Sequence, residues 1–203
     1  MQLGVFGGTF DPPHIAHLIL AAEAYAQLNL NKVLWVLTPQ PPHKRNQYIT
    51  PAADRLAMLK AALGDDPAFE LSRVDLDRTA PHYAVDTVKL LKRLHPDDRL
   101  IYLMGGDSLK DLPEWHNAQE FVAVCDGLGV MMRSKNEIDL QALESLLPGI
   151  RHKVQNIRAP VLEISSTHVR EWIAQGRPYR YYLPAAVFQV IQERNIYFDL
   201  IKM

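Results

Sequence analysis

Cysteine is nearly missing from this chain: Cys125 is the only one in 203 residues. That excludes an intrachain disulfide and leaves no cysteine set for a structural zinc, and it fits a reducing, cytoplasmic setting. Net charge is nearly missing too, at −1, so the chain carries no excess of basic residues to attract a nucleic acid. Hydrophobic residues make up 48%, yet no apolar run is long enough to cross a membrane. Gln2 leads straight into strand-like sequence, with no charged-then-apolar leader before it. Repeats, low-complexity tracts and linker-like stretches are absent as well. The expectation is one domain over residues 1–203, with a substantial buried core.

The richest segment is Gly7-Gly8-Thr9-Phe10-Asp11-Pro12-Pro13-His14-Ile15-Ala16-His17. It follows the apolar run Leu3–Phe6, which reads as a buried strand, and leads into an apolar-periodic helix. A strand, a tight Gly-Gly turn and a helix start together form a place to hold phosphate. Glycines admit an anion close to the backbone, and the helix N-terminus supplies unpaired donors and a favourable dipole. His14 and His17 lie one turn apart and can face one ligand, and their titration range suits them to meeting negative charge. Taken alone, the segment also fits an ordinary turn or half of a zinc site, and it does not fit G-x-G-x-x-G.

A second segment lies near the C-terminus. Pro160–Ile164 reads as a strand running into Ser165-Ser166-Thr167-His168-Val169-Arg170 and a helix with Val169, Trp172 and Ile173 at helical spacing. Its plain reading is a capped helix with a solvated arginine. Its functional reading is a second anion cradle, with hydroxyls at the helix start and Arg170 one turn in. Two such cradles suggest a triphosphate held between them.

Between these ends, strand and helix patterns alternate. Helices are expected near His17–Leu28, from Thr50-Pro51 to Leu63, over Val85–Leu94, near Leu140–Leu147, and from Thr167 and Pro184 onward. Strands are expected at Lys32–Leu37, Phe69–Val74, Arg99–Met104 and within Val122–Met132. That order predicts an α/β fold: a doubly wound, Rossmann-like parallel sheet with helices on both faces and a small C-terminal helical part. Ligands would then gather at the carboxyl ends of the strands.

Six segments in one order carry a resemblance. They are Gly7–His17, Pro41-Pro42-His43-Lys44, Pro81–Thr87, Gly105-Gly106-Asp107-Ser108, Pro113-Glu114-Trp115 and Ile164–Arg170. Together they resemble nucleotidyltransferases whose motifs are written HxGH and ISSTxxR, and more closely the bacterial nicotinate-nucleotide adenylyltransferases. The resemblance implies transfer of AMP from ATP to nicotinate mononucleotide, releasing pyrophosphate. It implies ATP contacts from Gly8, Thr9, Phe10, His14, His17, Gly106, Asp107, Ser166, Thr167 and Arg170, and catalysis by His17, His14, Arg170 and Lys44. Lys44, Tyr83, Ala84 and Trp115 would hold the mononucleotide, with Trp115 stacked on the pyridine ring. Mg²⁺ would arrive on the ATP phosphates without a protein cage. Partners are small molecules, not nucleic acid or membrane, and homo-oligomerisation stays open.

The plain readings stand beside these roles. Lys44 with Arg45 fits solvated loop charge, Asp107-Ser108 a helix cap, and Trp115 an ordinary core position. Cys125, Trp35 and Trp172 are assigned to packing. Two positions depart from the family pattern. Ala16 replaces the glycine of HxGH. Ala84 replaces a threonine beside the pyridine site, which opens acceptance of the amide mononucleotide. Other superfamily transferases, a synthetase fragment and a non-catalytic nucleotide sensor complete the alternatives.

Overall fold

The computed structural model describes residues 1–42, 48–131, 138–160 and 162–199. Its sheet has six parallel strands in the order β3-β2-β1-β4-β5-β6. These are β1 (Gln2–Gly8), β2 (Lys32–Leu37), β3 (Phe69–Ser72), β4 (Arg99–Gly105), β5 (Gly127–Met131) and β6 (Val154–Ile157). The order reverses between β1 and β4, which is where a doubly wound sheet opens a crevice outside the carboxyl ends of its strands. The helices are α1 (Ile15–Gln27), α2 (Ala52–Leu63), α3 (Ala84–Leu94), α4 (Gly106–Lys110), α5 (Ala118–Val124), α6 (Leu140–Leu146), α7 (Ser166–Ala174) and α8 (Ala185–Glu193).

Strand alternation sorts the core onto two faces. Leu3 and Val5 of β1 with Leu34 and Val36 of β2 meet Val85, Val88 and Leu91 of α3 and Phe121 of α5. Phe6 with Val33, Trp35 and Leu37 meets Leu20 and Ala24 of α1 and Leu59 of α2. β2 is therefore buried on both faces, the reason Val33–Leu37 is one unbroken apolar run. A third cluster joins Met58 of α2 to Val169 and Ile173 of α7 and to Val187 and Ile191 of α8. This is the expected C-terminal helical part, and Trp172 packs against it while Trp35 and Cys125 are fully buried.

Two local expectations need correction. The last strand is Val154–Ile157, not Pro160–Ile164: residues 158–160 and 162–165 are irregular, and Val161 lies outside the described residues. As an edge strand β6 pairs on one side only, with β5. It therefore tolerates polar Gln155 and Asn156, which hid it, while Pro160 has no N–H to offer a ladder. Secondly, Gly7 and Gly8 form no turn; both are the last residues of β1. Their lack of a side chain serves close approach. A Cβ on Gly7 would lie 2.7 Å from the Tyr102 hydroxyl, and one on Gly8 2.9 Å from the Phe10 ring. The left-handed residue is Phe10 (φ 46°), held there by a ring packed against Phe6, Trp35 and His17.

Candidate active site

The carboxyl end of β1 runs into residues 9–14, and α1 starts at Ile15 with His14 at its N-cap. The His14 backbone N–H donates to His17 Nδ1 at 3.1 Å, and the two rings stack with centroids 3.6 Å apart. Because Nδ1 accepts, the ring proton of His17 belongs on Nε2. Burial, and then the neighbouring His14, hold the His17 pKa well below the usual imidazole range. His17 is thus a neutral hydrogen-bond donor of fixed tautomer, not the charge-switching imidazole expected from its type. Phe10 is 2% exposed, so its ring belongs to the core and only its main chain remains for a ligand.

The second motif docks directly on this loop. Ser165 caps α7, its Oγ accepting from the His168 N–H at 3.2 Å. Ser166 Oγ donates to the Pro12 carbonyl at 2.9 Å, and an Arg170 Nη donates to the Asp11 carbonyl at 2.8 Å. Arg170 also reaches Thr167 Oγ1 at 3.5 Å. Segments 154 and 159 residues apart in sequence are in this way joined main chain to side chain. The structure brings His14, His17, Ser166, Thr167 and Arg170 around one loop. The correction to β6 matters here: the first cradle is a strand-to-helix junction, whereas the second is a loop-to-helix junction tethered onto the first.

Across the crevice, β4 ends at Gly105, and Gly106 and Asp107 open α4, Gly106 buried and Asp107 exposed. The helix starts at Gly106 with Gly105 as N-cap, so Asp107 and Ser108 do not cap a helix from Leu109. Trp115 is half-buried, edge-on to Tyr102 of β4 (6.2 Å) and tilted on Phe121 (5.3 Å). Its neighbour His116 stacks on Tyr83 at 3.8 Å, which brings the Tyr83-Ala84 corner beside the Trp115 segment. That corner is braced from behind. Arg78 pairs with buried Asp75 at 2.8 Å and donates to the Pro81 carbonyl, while Thr87 donates to Asp75. Lys44 lies outside the described residues. Among those described, no group of three or more His, Cys, Asp or Glu could hold a metal ion, and no helix is long and apolar enough to cross a membrane.

Three residues that sequence reasoning passed over are central here. Asp11 is 3% exposed; its carboxylate accepts from the Thr50 N–H (3.2 Å) and from the Tyr197 hydroxyl (2.7 Å). Tyr197 is buried, and burial with the nearby Asp11 charge raises its pKa well above the phenol's usual value. Arg55 is 1% exposed on α2. A signal for it exists: Arg55, Met58, Leu59 and Leu63 form the buried stripe of α2, and a cation in an apolar stripe implies buried partners. Tyr197, in an apolar C-terminal run, carries no such signal.

Comparison with known proteins agrees with this architecture. The family model described as cytidylyltransferase-like matches residues 5–172. A curated protein of Thermomicrobium roseum, named as a probable nicotinate-nucleotide adenylyltransferase, is 43% identical over 97% of this chain and 91% of its own length. One from Dehalococcoides mccartyi with the same name is 37% identical, covering 97% of each. The solved Plasmodium falciparum nicotinic acid mononucleotide adenylyltransferase complexed with NaAD superposes with a TM-score of 0.79 at 21% identity, covering 97% of both chains. At that identity it speaks for the fold.

Proposed function

Since this chain belongs to the cytidylyltransferase-like family, and within it to the nicotinate-nucleotide adenylyltransferases, we infer that the site at the end of β1 transfers AMP from ATP to nicotinate mononucleotide. A 5′-phosphate oxygen of the mononucleotide attacks the α-phosphorus of ATP. The bond from that phosphorus to the bridging oxygen of the β-phosphate breaks, and pyrophosphate leaves as deamido-NAD forms. A phosphate monoester is already a nucleophile near neutral pH. The residues are therefore asked for positioning and charge stabilisation, not for a base.

The observation that carries this reading is the docking of Ser166 and Arg170 on the Pro12 and Asp11 carbonyls. It sets two helix starts and a guanidinium around one loop, as a triphosphate requires. In this reading the main chain of Gly8, Thr9 and Phe10 meets the α-phosphate. His17 Nε2–H, with His14, donates to the oxygens that gain charge. Ser166, Thr167 and Arg170 hold the departing pyrophosphate, and Gly106 and Asp107 take the ribose. Lys44 neutralises the mononucleotide phosphate, and Tyr83, Ala84 and Trp115 line the pyridine ring. Magnesium enters as part of the MgATP substrate and supplies charge neutralisation on the phosphates.

Ala84 has no hydroxyl for the nicotinate carboxylate, so the main chain carries that contact. Pyrophosphate release with ATP and Mg²⁺, comparing nicotinate with nicotinamide mononucleotide, tests the assignment. Faster turnover with the acid is expected. Equal or reversed preference would make the enzyme dual or amide-specific, and silence with both would overturn adenylyl transfer to pyridine mononucleotides.

A further inference from the structure

The guanidinium of Arg55 lies between two loops that the reading above gives to different substrates. One Nη donates to the Thr9 carbonyl and to the Thr38 carbonyl, both at 2.9 Å. The other donates to the Pro39 carbonyl at 2.6 Å, and Nε to the Thr50 carbonyl at 2.7 Å. Thr9 follows β1 in the ATP loop; Thr38 and Pro39 follow β2 and precede, in the sequence, the Lys44 that the reading gives to the mononucleotide. The Thr38 N–H adds a direct bond to the Gly8 carbonyl at 2.9 Å. The balancing charge is Asp11, reached through Thr50, which accepts from Arg55 with its carbonyl and donates to Asp11 with its N–H.

Helix propensity does not explain an arginine here, because α2 would bury a leucine at this position with less loss of hydration. A buried fork of planar donors does what no apolar side chain can: it holds separate main-chain carbonyls at fixed mutual distances. At 1% exposure the guanidinium has no water to exchange for a lost carbonyl, so a shift of one loop must be met by a shift of the other.

We propose that Arg55 is a positioning residue that couples the ATP loop to the mononucleotide loop, so that binding of either substrate prepares the pocket of the other. The coupling rests on the adenylyltransferase reading, and it touches neither substrate directly. In the unmutated protein, calorimetric titration of a non-hydrolysable ATP analogue, with and without nicotinate mononucleotide, should show the analogue tightening by about fivefold or more. In Arg55→Lys, whose ammonium cannot span the carbonyls, that factor should fall to near one and both KM values should rise more than kcat falls. Methylguanidinium added to Arg55→Ala should restore part of the factor. A purely structural arginine would instead lower the melting temperature and the active fraction at unchanged KM, which overturns the coupling. So does a factor of one in the unmutated protein, whether or not the variants fold. Absence of turnover in the unmutated protein overturns the adenylyltransferase reading and this inference with it. An active protein whose Arg55→Lys keeps both KM values and the factor overturns the coupling alone.

Discussion

Helix α1 follows the central strand β1 after residues 9–14, whereas α7 follows the edge strand β6 after the irregular residues 158–160 and 162–165. Both present a helix start to the same loop, but they are held there differently. The first is part of the sheet: β1 is paired on both sides, with β2 and β4, and its glycines are shaped to Tyr102 and Phe10. The second is an attachment, kept in place by the third hydrophobic cluster and by the bonds from Ser166 and Arg170 to the Pro12 and Asp11 carbonyls. The first junction starts from a strand end that the sheet has fixed, with its loop held by the buried bonds of Asp11 and Arg55. A tethered junction needs the rest of the fold, and its tethers are side chains that a mutation can remove without touching the sheet.

The largest effect should come from the built-in junction. His17→Ala is expected to lower kcat by about 10²–10³-fold, as removal of one preorganised donor does, while calorimetry shows the ATP analogue bound nearly as before. Near-normal turnover would remove His17 from the chemistry. Its proton state sharpens the test. A neutral donor keeps working as pH rises through the ordinary imidazole value of 6.5, whereas a required imidazolium would lose activity there. Stability carries the same signature. Below 6.5 the unfolded chain binds a proton that the folded ring refuses, so stability is full above that value and declines as pH falls toward the depressed one.

Arg170→Met should come next. It removes the tether to Asp11 together with the proposed phosphate contact, and kcat/KM is expected to fall roughly 10–100-fold, the scale of a charged hydrogen bond. Arg170→Lys should recover less than half of that loss in free energy, lacking the fork. Equal activity of all three proteins would show that the attachment is held by its apolar cluster alone. Gly8→Ala should act on stability, because its Cβ meets the buried Phe10 ring at 2.9 Å. A loss of about 1–3 kcal/mol in denaturant unfolding is expected, as in other overpacked sites, and Phe10→Leu in the same chain should return part of it. The smallest effect belongs to Ser165→Ala, which costs one helix cap, about 1 kcal/mol, read as a melting point lower by about 2–4 °C.

The parts of the fold that proved legible are those where one rule dominated. The run Lys32–Leu37 reads as a doubly buried strand because nothing in it is polar after Lys32, and the structure gives it those bounds. α3 emerged from its amphipathic spacing, with Val85, Val88 and Leu91 on the buried face. The edge strand Val154–Ile157 was illegible because one-sided pairing lets polar residues in, and the more apolar stretch after Pro160 drew the assignment away. The site was legible as a set of motifs and illegible as a device. Gly8, His14, His17, Ser166 and Arg170 stand out by type and order. Of the two residues that fasten the loops those residues sit on, Arg55 is marked only as a cation in the apolar stripe of α2 and Tyr197 not at all, since their partners are main-chain carbonyls and one buried carboxylate far away in the sequence.

By itself, the sequence determined the alternation that makes a parallel sheet, the apolar run that forms most of its first strand, and the chemical types gathered in two motifs. All of these follow from local periodicity and side-chain size. Only the tertiary structure decided that Ser166 and Arg170 close on Asp11 and Pro12, that Phe10 takes the left-handed turn, that His17 stays neutral, and that Arg55 spans two loops. Each of these depends on burial and on hydrogen bonds between segments that meet only when the helices dock, and no local propensity encodes such meetings.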